Sequence, residues 1–367
     1  MRVALVARRG DFATGLGRYS SYLADELPRQ GVEVLKLSPR LPVPRPVAAL
    51  ALKLGRDLDV FFQNYACSAE LPAADVYHMA NEYQAALLAL RRIEPSVVTF
   101  HAFFSFFLRA RRSLGDYYSR FEVLLDRFVI RGLRRASVVI AVSHYLKRLL
   151  VEKLEIPAKK VHMIHEGVDT SVFKPQPLPT GLQQVFDLGT RRWILYVGSE
   201  QPRKNFLSLV RAFGEIKKTM PDVGLLKVGN PEVWSERDRV VRLAARLGVL
   251  EDIRFVGHVG ADLPRFYNMA SVFVFPSLYE GFGFPPLEAM ACGTPVVCSN
   301  RTSLPEVTAD AAISCNPDWR TLTREVSRVL RDRELAADLR QRGLARAGEL
   351  SWAKAARETA QVYSLVR

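Results

Sequence analysis

The stretch PSLYEGFGFPPLE holds two carboxylates, Glu280 and Glu288, with seven residues between them that are mostly glycine, aromatic or proline. Two chemistries suit such a pair. Carboxyls flanking one bond can serve as acid and base, or carboxylates in a pocket can accept hydrogen bonds from the hydroxyls of a bound sugar. Pro285 and Pro286 fit the first turn of a helix, where an N–H lacks a partner anyway. Glu280 then sits in the loop after the strand-like run SVFVF, and Glu288 in the first turn of the helix that follows. Gly281 and Gly283 flank Phe282 and permit close backbone approach, while the positive end of that helix suits a phosphate.

Three further groups bear on the choice. In YVGSEQPRKNFLSLVRAF, Arg203 and Lys204 stand at a helix start, where the helix dipole disfavours cations. A paired basic site there makes sense around a polyanion such as the diphosphate of a nucleotide sugar. Gly15 and Gly17, in DFATGLGRYSS after the first strand, resemble the start of a dinucleotide fingerprint, with Ser20 at the third glycine position. They still form a glycine loop able to present N–H groups to phosphate. His78 (DVYHMANEY) and His101 (VVTFHAFF) fall at strand ends; two histidines facing one cleft favour a role for His101. Asp57-Leu58-Asp59 matches the metal-binding D-x-D of other sugar transferases, yet it precedes a strand-like run and reads as a turn. His144 and His165 have no evident partner. Cys67, Cys292, Cys298 and Cys315 show no metal-type spacing, which implies reduced, packing thiols of a cytoplasmic protein.

The elements that must position these residues alternate almost throughout. RVALVA, VEVLKL, DVFFQ, VVTF, SVVIAV and KVHMI are strand-like with amphipathic stretches between most of them. After residue 177 the pattern restarts with WILYVG, VGLLKVG, IRFVG, SVFVF and TPVVCS. This is an α/β pattern of two parallel sheets with helices on both faces. KPQPLPTGLQQ, Lys174 to Gln184, looks like the linker between them. The expected domains are 1–177, 178–350 and a terminal helix over 351–367 that follows an N-cap at Ser351. Two such units would leave a cleft at the carboxyl ends of their sheets, where open α/β sheets bind ligands.

The chain has 367 residues and a net charge of +14, with the excess leaning to the N-terminal half, a field that favours polyanions. No run of eighteen apolar residues exists, so no spanning helix is expected. Residues 103–135 read as a long helix with an apolar stripe through Phe103, Phe107, Ala110, Leu114, Tyr117, Phe121, Leu124 and Phe128. Arg109, Arg112, Arg120, Arg127, Arg131 and Arg134 run beside it. A core helix with a solvated basic face and a surface helix touching anionic lipid both fit this pattern.

Taken together, these motifs resemble the GT-B retaining glycosyltransferases of glycosyltransferase family 4 over almost the whole chain. The signature is Glu280-Gly281-Phe282-Gly283 through Glu288, extended by AMACGTPVV and SNRTSLPEV and supported by YVGS, RKN, TGLGRY, VVTFHAFF, HEGVD and the terminal SW…Y helix. The resemblance implies two Rossmann-like doubly wound domains, the first binding acceptor and the second binding a nucleotide-sugar donor. It makes Glu280 and His101 the catalytic residues at the transferred sugar and assigns the ribose to Glu288. Arg203 and Lys204 neutralise the diphosphate, and Gly15, Gly17, Gly281, Phe282 and Gly283 complete the donor site. No cofactor and no metal are implied, and nucleic acid is not a partner. The donor motif is most similar to members using GDP-mannose, with UDP-hexose users carrying close variants. The expected acceptor is a glycan or a lipid-linked sugar, and the aromatic and arginine density of residues 103–135 points to peripheral attachment at the cytoplasmic face of a membrane. Two departures stand out. Glu166 occupies a position where Asn before Gly is common, which bears on packing between domains, and Arg203 lies directly beside Lys204 rather than nearer Gly198.

The rivals are weaker on the same residues. A glycoside hydrolase built on Glu280 and Glu288 leaves the basic pair without a task. A dinucleotide-dependent oxidoreductase or epimerase needs the complete glycine fingerprint and an acidic residue after VEVLKL, and neither is present. A non-catalytic sugar-nucleotide-binding scaffold does not need the full set of site residues.

Overall fold

The computed structural model describes residues 1–8, 15–39, 61, 65, 70–102, 120–177, 181, 191–232 and 234–367, with the side chains of 120–123 left aside. Among them, apolar runs form strands β1 (Arg2–Val6), β2 (Glu33–Leu37), β3 (Val76–Met79), β4 (Ser96–Phe100), β5 (Val138–Ala141) and β6 (Val161–Met163). Six more follow: β7 (Arg192–Val197), β8 (Val223–Val228), β9 (Ile253–Val256), β10 (Val272–Phe275), β11 (Val296–Ser299) and β12 (Ile313–Cys315). Every ladder pairing is parallel. Strands buried on both faces read as continuous hydrophobic runs, as β5 and β10 do.

The contacts divide the chain into two units, Met1–Gly167 with Trp352–Arg367 and Val168–Ser351. The boundary thus falls ahead of the Pro-rich stretch that looked like the linker. The first unit orders its strands β2-β1-β3-β4-β5-β6, and the second β12-β11-β10-β7-β8-β9. Renumbered from its own first strand, the second sheet is the 3-2-1-4-5-6 order of doubly wound dinucleotide folds, with its switch point between β7 and β10. Both units are Rossmann-like α/β domains.

Some readings change, and others fall outside the described residues. β12 has three residues, too short for an alternation to register, and the expected strand DVFFQ lies almost wholly outside the described residues. His78 is not at a strand end but inside β3, fully buried. Of the long helix expected over 103–135, the structure describes Arg120–Arg135, and residues 103–119 with their part of the stripe lie outside the described residues. In that helix Val129 and Leu133 are buried, whereas Leu124 and Phe128, members of the apolar stripe, are exposed. Gly132 sets the rotation. A Cβ there would lie 1.7 Å from the carbonyl oxygen of Ala85, so only glycine lets this face come so close.

The helix Trp352–Val366 packs in the first unit, where Trp352 stacks on Tyr22 with ring centroids 5.1 Å apart. Among the described residues, no helix is long and apolar enough to cross a membrane.

Candidate functional site

In the second unit the functional side chains follow the two strands that flank the switch point. After β7, Pro202–Lys204 makes a single short 3-10 turn, and Asn205 adopts a left-handed conformation (φ 56°) before the helix Phe206–Lys217 begins. Arg203 and Lys204 therefore precede the long helix rather than start it. Asn tolerates this backbone better than most residues, and here its side chain ties three strand ends together. Asn205 Nδ2 donates to Pro276 O (3.1 Å) and Pro317 O (2.8 Å), and Ser208 Oγ donates to Asn205 Oδ1.

After β10, the loop 276–283 delivers Glu280 onto that basic pair. Lys204 Nζ lies 2.7 Å and Arg203 Nη1 3.4 Å from Glu280 Oε1, and Ser277 Oγ donates to the same oxygen at 2.5 Å. Lys204 also sits 5.0 Å from the centre of the Phe275 ring. All three charged side chains are largely buried. Burial pushes the Glu280 carboxyl up, but Lys204 and Arg203 outweigh it and hold the group below the usual carboxylate range, so it is ionised at neutral pH.

The loop itself is pinned from behind. Glu280 N–H donates to Thr302 Oγ1 (3.0 Å), and Ser303 Oγ lies within bonding distance of Glu280 O and Phe282 O. Gly283 has φ 127°, and a Cβ there would meet Leu304 at 2.8 Å, so this position requires glycine twice over. Gly281 and Phe282 are buried in the same loop. The helix Phe284–Ala291 begins directly after it, with Pro285 and Pro286 in its first turn. Neither proline carries an N–H, so this end offers fewer donors to an anion than an ordinary helix start.

Glu288 lies in the second turn of that helix, not the first, and is buried, with Tyr267 Oη donating to its Oε2 at 2.9 Å. A further buried cluster went unnoticed in the sequence. Glu200, just ahead of the basic pair, takes Lys227 Nζ at 3.0 Å and Arg237 at 2.5 Å. Burial draws the Lys227 ammonium down to about 8 against the pull of Glu200. A lysine in the middle of an apolar strand is read by pattern as a solvent-facing residue, which is why this one escaped.

The first unit builds its own cluster at the carboxyl ends of its strands. His101 follows β4, with its N–H on Glu82 Oε2 (3.1 Å), its Nε2 2.8 Å from Ala80 O and its Nδ1 3.0 Å from Glu166 Oε1. Burial lowers the imidazole, yet Glu166, with help from Glu82, outweighs it and raises the ring above its ordinary value. Glu166 was expected to bear on packing between domains; it is buried within the first unit and touches His101. His78 belongs to a separate chain of bonds. Tyr363 Oη lies 2.6 Å from its Nδ1, Thr99 Oγ1 2.8 Å from its Nε2, and Tyr19 Oη 2.8 Å from Thr99 Oγ1. Burial pushes His78 down to about 3, so it is neutral.

Gly15 and Gly17 are the first and third residues of the helix Gly15–Glu26 rather than parts of a loop, and residues 9–14 before them lie outside the described residues, as do Asp57, Asp59 and Cys67. His144 and His165 meet edge to face at 6.0 Å. Cys292, Cys298 and Cys315 are buried with thiols pushed up to about 12, which leaves them inert. Among the described residues no group of three or more His, Cys, Asp or Glu could hold a metal ion.

Comparison with known proteins supplies a context for this geometry. Residues 183–346 match the family model of group 1 glycosyl transferases, and residues 13–172 that of glycosyltransferase family 4. The O-antigen chain mannosyltransferase B of Escherichia coli is 32% identical over 301 residues, covering 79% of this chain and 74% of that one. A GDP-mannose-dependent alpha-(1-6)-phosphatidylinositol monomannoside mannosyltransferase of Mycolicibacterium smegmatis is 31% identical over 214 residues, 55% of each chain. Among solved structures, Anabaena HepE in complex with UDP-glucose superposes with a TM-score of 0.76 over 100% of both chains at 18% identity, a likeness of fold.

Proposed function

The chain belongs to glycosyltransferase family 4, and on that footing we propose that it transfers mannose from GDP-mannose, with retention, to a hydroxyl of a glycan or lipid-linked acceptor. The observation that carries this reading is the buried Glu280–Lys204–Arg203 cluster at the strand ends flanking the switch point. Open α/β sheets bind ligands there. A diphosphate competes with the Glu280 carboxylate for the two cations, and its arrival releases that carboxylate to accept hydrogen bonds from the sugar hydroxyls.

In this mechanism the bond between C1 and the phosphate oxygen breaks through an oxocarbenium-like state. The acceptor oxygen forms its bond to C1 on the same face, and its proton passes to the departing diphosphate. No protein nucleophile is required. Arg203 and Lys204 stabilise the charge that develops on the leaving group, the task a metal ion performs in other transferases, so no metal is required. Glu288 holds the ribose, and Gly15 and Gly17 approach the phosphates. Two named relatives support mannose as the transferred sugar.

A second reading, a UDP-hexose donor, draws on the HepE complex. Thermal denaturation with GDP, UDP, ADP and their sugars distinguishes them, because a ligand stabilises the state that binds it. GDP is expected to raise the melting temperature most; preference for UDP transfers the proposal to the second reading, and no response to any nucleotide defeats both.

The acceptor proposal extends to the cytoplasmic face of an anionic membrane. Exposed Arg127 and Arg131 lie beside exposed Leu124 and Phe128 on the helix Arg120–Arg135, a combination that fits an interfacial helix. Flotation with vesicles containing anionic lipid is the test, and salt-independent failure to bind defeats this part alone.

A further inference from the structure

The described groups that face His101 come from four places. Glu166 follows β6, Glu82 and the carbonyl of Ala80 follow β3, His78 lies on β3, and Tyr19 approaches from the helix Gly15–Glu26, its ring centroid 4.6 Å away and edge-on. Each ring nitrogen of His101 meets an acceptor. Ala80 O has no hydrogen to give, so Nε2 must carry one. A carboxylate 3.0 Å from Nδ1 likewise demands a hydrogen there. Glu166 Oε1 makes no well-aligned hydrogen bond, so this contact is an ion pair first. A neutral imidazole has only one N–H and would leave one of these buried acceptors facing a lone pair. The carbonyl at Nε2 and the carboxylate beside Nδ1 together favour the imidazolium. Glu82 binds the backbone N–H of the same residue, which fixes the position of the ring's Cα, and adds a smaller pull on its charge than Glu166 does.

We propose that Glu166 is a positioning residue for the transfer reaction, holding His101 as an imidazolium whose two ring nitrogens are already engaged, Nδ1 by Glu166 and Nε2 by Ala80 O, so that the ring meets the donor sugar as a fixed cation and not as a base. The proposal rests on the reading that His101 contacts the donor sugar. Its consequence is specific. His101 does not act as a base at any pH where the pair is intact, and its charge is held in place by a carboxylate that need not touch the substrate. The raised affinity of the ring for its proton accords with this.

The test uses the full chain with 15N-labelled histidine, the His101 signals being assigned by their loss in His101→Gln. In the unsubstituted protein both ring nitrogens of His101 are expected to stay protonated at pH values where an ordinary histidine has lost its proton. In Glu166→Gln, which keeps the shape and removes the charge, the titration midpoint should fall by about one pH unit or more, with Glu166→Asp in between. GDP release from GDP-mannose supplies the second readout. The alkaline limb of kcat/KM should move down with the NMR midpoint, so that Glu166→Gln loses about tenfold at pH 8 and little at pH 6. A neutral His101 at pH 7, an unchanged midpoint in Glu166→Gln, or a loss of activity equal at both pH values would overturn the proposal. If the unsubstituted chain turns over no nucleotide sugar, the functional reading fails, and the NMR titration still decides whether Glu166 holds the charge.

Discussion

The two units place buried charge at the same edge of the same kind of sheet and arrange it in opposite senses. In the first, the carboxylates of Glu82 and Glu166 surround one imidazole, that of His101. In the second, the cations Arg203 and Lys204 surround one carboxylate, that of Glu280. The difference assigns chemistry to each. Only the second cluster carries an excess of positive charge, so only it gains by exchanging its internal carboxylate for a diphosphate. The first can attract no phosphate through side-chain charge and is suited to holding one imidazole protonated and in one orientation. The same doubly wound scaffold thus supports either polarity, and the loop residues decide which.

The largest expected effect comes from removing the central group of the second cluster. Glu280→Gln should lower turnover by about 10²–10³-fold, the scale for one preorganised polar group at a reacting centre, while GDP binding by calorimetry stays within a few-fold. An unchanged turnover would remove Glu280 from the mechanism. Lys204→Ala strips the carboxylate of its nearest cation. Losing one partner of a buried pair costs about 3–5 kcal/mol, reduced here because Arg203 and Ser277 still reach the same oxygen. Weaker GDP binding together with a lower denaturation midpoint is expected. Loss of stability with intact binding would make the cluster structural.

The two histidines of the first unit sharpen the contrast through pH. The folded protein keeps His78 neutral down to about pH 3, whereas the unfolded chain takes up that proton near its ordinary value of 6.5. Its contribution to stability is therefore full above pH 6.5 and is lost as pH falls from 6.5 towards 3. The quantity at stake is on the order of 4 kcal/mol. His101 has the opposite sign: its contribution is full below 6.5 and is lost as pH rises through its raised folded value. Urea midpoints of the first unit's transition should fall on both sides, and His101→Gln should flatten the alkaline side alone. A decline on that side that persists in His101→Gln would locate the titrating group elsewhere.

The smallest effects belong to single hydroxyls. Tyr363→Phe removes the partner of His78 Nδ1, and Tyr267→Phe removes a donor to Glu288. Each should cost about 1–3 kcal/mol, the scale for leaving a buried polar group short of a partner, and Tyr267→Phe alone should also weaken nucleotide binding if Glu288 holds the ribose. Matching melts for both variants with unchanged binding would confine Glu288 to packing.

Much of this was legible in the residues. The alternation of β-branched and amphipathic runs marks parallel strands because burial on both faces leaves no room for polar alternation, and β5 and β10 read that way. Gly283 and the two prolines mark a strand-to-helix turn because few other residues tolerate its backbone. Asn205, Ser277, Thr302 and Ser303 were not legible as site residues. Each is a common polar residue in a loop, and each has a partner on another loop that only the sheet order brings alongside. His78 misled for the same reason, since a strand end and a strand interior look alike in a short run.

By itself the sequence determined that two α/β units exist, that a loop carrying Glu280 leads into a proline-started helix, and that a basic pair follows another strand, because these depend on local backbone preferences and hydrophobic period. Only the tertiary structure decided that β7 and β10 are neighbours, which puts Lys204 2.7 Å from Glu280 across 76 residues of chain. It alone decided that Glu166 faces His101, and that one histidine is neutral and the other favours its charge. Charge in a buried group depends on what lies within a few ångströms of it, and sequence spacing does not carry that distance.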